Sequence, residues 1–99
     1  MAKLSLRQRA IDDLNEIWKY TAEKWSEKQA DKYYAMLALA CRQLAENPGA
    51  RKSYERISEK LLGLRIGRHI IFYQEISGNE IEIIRILHAR MDLKSRLDA

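Results

Sequence analysis

Glu80-Ile81-Glu82-Ile83-Ile84-Arg85-Ile86-Leu87-His88 is the stretch with the strongest β signal in the chain, and it encloses a single arginine. Side chains on a strand alternate between faces. Strict alternation therefore puts Ile81, Ile83, Arg85 and Leu87 on one face and Glu82, Ile84, Ile86 and His88 on the other. Both faces are largely apolar, the pattern of an interior strand covered on two sides and not of a half-solvated one. Each side then needs a cover, and one of the covers is expected to be another protein.

Working outward, Ser77-Gly78-Asn79 precedes this strand with residues suited to a tight hairpin. Before that turn come two further β runs, Leu62-Gly63-Leu64-Arg65-Ile66 and His69 to Glu75, joined by Gly67-Arg68. Residues 61–88 thus read as an antiparallel meander. Residues 50–60 are polar and mixed in charge, and read as a connection with at most a short helical turn.

The first half has a different period. Leu4 and Leu6 alternate with Lys3, Ser5 and Arg7 as in a short half-buried strand. Ile11, Leu14, Trp18, Thr21, Ala22 and Trp25, with Ile17 beside them, then recur at three and four residues opposite a charged face, as in an amphipathic helix. Ser26 with Gln29 three residues on has capping-box spacing. A second helical stripe follows in Ala30, Tyr33, Tyr34, Leu37, Ala40, Cys41 and Leu44, and Asn47-Pro48-Gly49 is expected to end it. The helical hairpin spans about residues 8–47. After His88 a tail over 89–99 contains Asp92, placed to cap a last short helix.

The order is β-αα-βββ-α, an α+β fold with a helical hairpin packed on one face of a small, mainly antiparallel sheet. Two helices cover one face only. The other face is expected to stay open as an apolar groove, and a patch of that kind marks a binding site.

At 99 residues the chain is expected to form one domain, 1–99, near the lower size limit for a single core. Its 46% hydrophobic and 32% charged residues place it among globular chains and exclude a disordered one. There is no apolar run of membrane-spanning length and no leader-like start, so the expected location is cytoplasmic, with no membrane partner. The one cysteine, Cys41, cannot form an internal disulfide, which agrees with a reducing compartment. The net charge of +4 favours an acidic partner without choosing between nucleic acid and protein. No metal-ligand spacing, phosphate loop or nucleophile motif occurs, and no cofactor is expected.

Arg85 is the most informative single residue, because a guanidinium on an apolar strand must be paired or exposed in a groove. An ion pair with a carboxylate across the sheet and a role in binding are both open at this point. Arg65 and Arg68 flank Gly67 and, with Arg85, are expected to form a cationic cluster suited to phosphate or to acidic side chains. His88 has the opposite parity from Arg85, which argues against a catalytic pair and for a strand-end histidine holding the next turn. The aromatic residues Trp18, Trp25, Tyr33 and Tyr34 read as core and helix-hairpin contacts.

Several phrases together resemble the RelE/ParE superfamily of bacterial toxins, and its ParE branch in particular. They are Ala10 through Tyr20, Ala30 with Tyr33-Tyr34, Leu44 through Pro48, Gly63-Leu64-Arg65, Arg68 through Tyr73, Arg85 through His88, and Met91-Asp92. They span nearly the whole chain in the family's order. The resemblance implies a toxin of a two-component toxin–antitoxin pair, neutralised by a ParD-like antitoxin in a hetero-oligomer and acting on DNA gyrase by binding, not as an enzyme. The alternative it implies is a RelE-like ribosome-dependent mRNA endoribonuclease. That branch tends to place a tyrosine near the end of the last strand, where Ala89-Arg90-Met91 stands here. DNA binding in such pairs usually belongs to the antitoxin, so none that is sequence-specific is expected of this chain alone. The residues expected to meet target or antitoxin are Arg65, Arg68, Arg85, His88, Arg90, Met91, Asp92 and Leu97.

Overall fold

The structure is a computed structural model and describes residues 3–46, 52–78 and 80–98. The elements are β1 (Lys3–Leu6), α1 (Gln8–Lys24), α2 (Glu27–Glu46), β2 (Lys52–Ser53), β3 (Leu62–Ile66), β4 (His69–Ser77), β5 (Glu80–His88) and α3 (Leu93–Asp98). The five strands form one sheet in the order β1-β5-β4-β3-β2. β3, β4 and β5 are the expected antiparallel meander, whereas β1 lies parallel to β5, with Lys3 opposite Glu80 and Leu6 opposite Ile83. The residues expected to end α2, Asn47-Pro48-Gly49, lie outside the described residues, as does Asn79 of the last hairpin.

β5 is covered on both faces, but not in strict alternation. Phe72 of β4 is opposite Arg85 while its neighbour Tyr73 is opposite Ile83, so Ile84 is the extra residue of a β-bulge. The bulge moves the register by one. Ile81, Ile83 and Ile86 pack with Ile71 and Tyr73 against Leu14, Leu37, Ala40, Cys41 and Leu44 of the two helices. Ile84 and Leu87 turn to the opposite face beside Ile70 and Phe72.

That opposite face is not an open groove. Tyr54 and Leu61 are buried on it, and Ile57, Ala89, Leu93 and Leu97 pack beside them, so the connection after β2 and the short α3 form the second cover. The connection is thus partly ordered structure, with β2 pairing to Leu62 and Gly63. Gly63 is required there: a Cβ on it would stand 2.6 Å from the Tyr54 ring. Its absence lets Tyr54 lie on the strand and meet Phe72 edge-on at 5.1 Å.

Local signals act as the residue types dictate. Ser26 Oγ accepts from the Gln29 N–H at 3.1 Å to start α2. Asp92 accepts from the Ser95 N–H and hydroxyl at 3.4 and 2.9 Å to start α3. Gly67 has φ +58° at the first position of a two-residue loop, where a hairpin turn takes glycine, and a Cβ there would also meet the Tyr33 hydroxyl at 2.9 Å.

Candidate functional site

β1 ends at Leu6, and its last backbone bond to β5 runs from the Arg7 N–H to the Ile83 carbonyl at 3.0 Å. Past that point the outer edge of β5 has no neighbouring strand among the described residues. Asp13 of α1 takes the strand's place: its Oδ2 accepts the Ile86 N–H at 2.9 Å. The same carboxylate holds Arg85 with two bonds, from Nε at 2.8 Å and from Nη2 at 2.9 Å, the fork geometry that makes such pairs strong. Arg85 Nη1 donates in turn to the Arg96 carbonyl of α3 at 2.9 Å. The Asp13 hydrogen bond holds the guanidinium in its charged form, raising its pKa against the opposing effect of burial.

Arg85 therefore does not form a cationic cluster with Arg65 and Arg68. It is a tie between α1, β5 and α3, with side chains only 15% and 14% exposed in the pair. Asp13 is the functional partner that sequence reasoning passed over as one more charge on the polar face of α1. Its position one residue before the buried Leu14 and three after the buried Ala10 was the available signal, since a carboxylate at the border of an apolar stripe points along the sheet edge.

The open surface is elsewhere. A cleft of about 840 Å³ lies between the helical hairpin and the end of the sheet where β3 turns into β4 and β5 finishes. Ile17, Tyr20 and Thr21 of α1, Trp25 of the hairpin turn, and Lys32, Tyr33 and Met36 of α2 form its walls. Arg68, His69, His88, Arg90 and Met91 line the sheet end. Several apolar walls are exposed to solvent: Trp25 is 68% accessible, Tyr20 61% and Met91 42%. Trp25 is thus not the core residue its helical spacing implied, whereas Trp18 does join the helices, through Nε1 to Asp31 at 2.9 Å.

At the floor, three rings stand in line. The Tyr33 hydroxyl accepts the Arg68 N–H at 3.1 Å and lies 2.6 Å from His69 Nδ1, much closer than its 3.4 Å to the Ile66 carbonyl. The short contact is one hydrogen bond between the phenol oxygen and Nδ1, whose proton lies on whichever partner the His69 tautomer sets. His69 in turn meets His88 edge-on, centroids 5.3 Å apart. Burial first, and then the neighbouring His88, push the His69 pKa down to about 4, so this ring is neutral near pH 7. His88 Nδ1 accepts the Arg90 N–H at 3.1 Å, the turn-holding bond expected of a strand-end histidine.

Of the residues singled out from sequence, Arg68, His88, Arg90 and Met91 meet in the cleft. Arg65 is the exposed residue of β3, its Nε donating to the Gly67 carbonyl at 3.2 Å. Asp92 is the α3 cap, and Leu97 packs on the second cover. Tyr33, His69, Ile17, Tyr20 and Met36 were missed as cleft residues. Their spacing shows a helix stripe or a strand start, while the cleft exists because the hairpin extends past the end of the sheet.

Two helices on one face of a β1-parallel, otherwise antiparallel sheet, with a largely apolar cleft lined also by Lys32, Arg68 and Arg90, define a small α+β protein with a preformed cleft. Comparison with known proteins gives the family: the description "ParE toxin of type II toxin-antitoxin system, parDE" matches residues 4–93. The chain is 33% identical over 97 residues to Toxin ParE1 of Caulobacter vibrioides, covering 98% of this chain and 99% of that one. It is 33% identical over 84 residues to Toxin ParE1 of Mycobacterium tuberculosis strain H37Rv, covering 85% and 86%. To Toxin ParE of Escherichia coli it is 32% identical over 97 residues, covering 98% and 94%. A solved structure described as the chromosomal ParDE TA system from P. aeruginosa superposes with a TM-score of 0.73 at 22% identity, covering 89% of this chain and 96% of that one, and shares the fold. The chain belongs to the ParE toxin family of type II toxin–antitoxin systems.

Proposed function

We propose that this protein is the toxic component of a toxin–antitoxin pair, that it arrests growth in the cytoplasm by binding DNA gyrase, and that a ParD-like antitoxin neutralises it in a hetero-oligomer. The observation that carries this reading is the preformed cleft. A poison that traps its target needs a binding surface and no acid–base chemistry, and exposed Trp25 and Tyr20 beside two arginines are the residue types that dominate protein interfaces. Among the described residues no helix is long and apolar enough to cross a membrane. The test is induction of the chain in a growing bacterium with and without the protein encoded beside it. Arrest that the second protein relieves is expected, and unimpaired growth on induction rejects the reading.

A second reading, a RelE-like ribonuclease, is favoured by one observation: Tyr33, His69 and His88 stand in line beside Arg68 and Arg90. Imidazoles near cations are the groups that phosphodiester cleavage uses to move a proton and steady a phosphorane. Primer extension on translated mRNA decides it, since new 5′ ends after induction are required by this reading and by no binding-only one.

A further inference from the structure

Cations stand on both walls of the cleft. Lys32 belongs to the hairpin wall, while Arg68 and Arg90 belong to the sheet end, where the Ala89 N–H donates to the Arg68 carbonyl at 2.9 Å and closes the end of β5 onto the β3–β4 turn. All three residues are exposed and none is in an ion pair among the described residues, where Glu16 is the one carboxylate of the lining. Aromatic rings share the cleft with them. Trp25 is 68% accessible and Tyr20 61%, and Lys24 Nζ stands 5.9 Å from the Tyr20 ring centroid as a further cation beside the cleft. Because His88 Nδ1 accepts the Arg90 N–H, the proton of the neutral ring is on Nε2. This lining imidazole is thus a donor, with no lone pair left for a metal.

Exposed rings beside unpaired cations are the two parts of a site for single-stranded nucleic acid: the cations follow the phosphates, and each ring takes the face of an unpaired base. A duplex keeps its base faces stacked inside and has no such use for Trp25 and Tyr20. We infer that the cleft holds a short single-stranded stretch of DNA, with bases stacked on Trp25 and Tyr20 and phosphates met by Lys32, Arg68 and Arg90. Stacking and charge read no base edges, so the contact is without sequence preference. The choice of DNA rests on the reading of the chain as a gyrase-directed toxin, and the inference adds to that reading a direct contact with the DNA that the target handles.

The test uses the full chain and a fluorescein-labelled oligodeoxythymidylate of about 12 nucleotides, within the range of single-strand site sizes, with binding read by anisotropy from about 50 to 200 mM salt. Compared are the unaltered chain, Trp25→Ala, Trp25→Phe, the triple variant Lys32→Gln with Arg68→Gln and Arg90→Gln, and Arg42→Gln as a control on the exposed face of α2. Trp25→Ala is expected to weaken binding by about fivefold or more with the salt slope unchanged, and Trp25→Phe, which keeps a ring, should lose less. The triple variant should weaken it by about tenfold or more and flatten the log–log salt slope by about 2, at about 0.7 for each phosphate contact of a single strand. Arg42→Gln should stay within about twofold. A fully paired duplex of the same length should bind more weakly, and an oligouridylate no more tightly. The substituted residues are exposed, and unchanged circular-dichroism melts check that each variant is folded. The inference is overturned by no saturable binding at low salt, by a Trp25→Ala chain that binds as tightly as the unaltered one, by a duplex bound as tightly as the single strand, or by RNA bound more tightly than DNA. No gyrase is present, so such a failure removes the DNA site and leaves the growth-arrest reading to its own test, while normal gyrase activity beside a bound oligonucleotide removes that reading and leaves the site.

Discussion

Asp13→Ala is the most informative single perturbation of this fold. It removes four things at once: two hydrogen bonds to the Arg85 guanidinium, its countercharge, and the acceptor for the Ile86 N–H on an edge that β1 does not reach. Breaking a largely buried pair from one side leaves the other charge uncompensated and costs about 3–5 kcal/mol. The orphaned Ile86 N–H lies within that range and is not added to it. A chain of this size has about 5–15 kcal/mol of stability in total, so the loss is a large fraction. At about 4–8 °C per kcal/mol for a domain near 100 residues, the melting point should fall by at least about 12 °C. Urea unfolding followed by circular dichroism measures it, and a double-mutant cycle with Arg85→Met isolates the pair. In that cycle Arg85→Met alone should also destabilise, because it leaves Asp13 without its cation. The double variant Asp13→Leu with Arg85→Met should recover much of the loss, since an apolar pair of similar volume replaces a costly ion pair. A change below about 0.5 kcal/mol for Asp13→Ala, with no coupling to Arg85, refutes the assignment of this pair as the tie between helix, sheet and α3.

Other consequences follow from single residues. Gly63→Ala should cost about 1–3 kcal/mol in the same urea assay, because the new Cβ displaces the Tyr54 ring from its place against Phe72. His69 is held at about 4 in the folded chain against 6.5 when free, so the unfolded chain binds the extra proton between those values. Its contribution is fully present above about pH 6.5 and is lost as the pH falls toward 4; allowing for partial solvent screening, the stability lost is about 1–3 kcal/mol, and His69→Gln should flatten the slope in that window. Cys41 is buried and its thiol is pushed up to about 11, so a thiol reagent at pH 8 should label it only at the rate of unfolding; rapid labelling of the native chain contradicts its place under the helices.

How far the chain can be read without its structure differs from element to element. The two-faced apolar character of β5 is plain from its composition, and both covers exist. The alternation within it is not readable, because Ile83-Ile84 and Ile86-Leu87 are apolar in either register and a bulge at Ile84 leaves the pattern unchanged. The cost of Arg85 is evident from the strand, but its partner lies 72 residues away in a helix, and sequence spacing carries no information at that range. The second cover escaped because Tyr54, Ile57 and Leu61 are too few and too irregular for a period, although Leu93 and Leu97, four residues apart, are a helix face. The parallel placement of β1 follows from the helical hairpin, which returns the chain to the same end of the sheet. As for the cleft, Arg68 stood out beside the Gly67 turn and Arg90 and Met91 came through the family resemblance, whereas Trp25 falls on a helical stripe that the sequence assigns to the core, and Tyr20 and Met36 lie off both stripes and carry no signal.

The central claim, that this ParE-family chain stops growth by trapping gyrase through binding, is tested most directly with purified components. Gyrase, relaxed plasmid and ATP are incubated with the chain, and both supercoiling and covalently cleaved DNA are scored. Supercoiling should be inhibited, cleaved complexes should accumulate, and prior addition of the antitoxin should abolish both effects. Normal supercoiling without cleaved DNA, under an excess of a chain that still arrests cells, contradicts that claim.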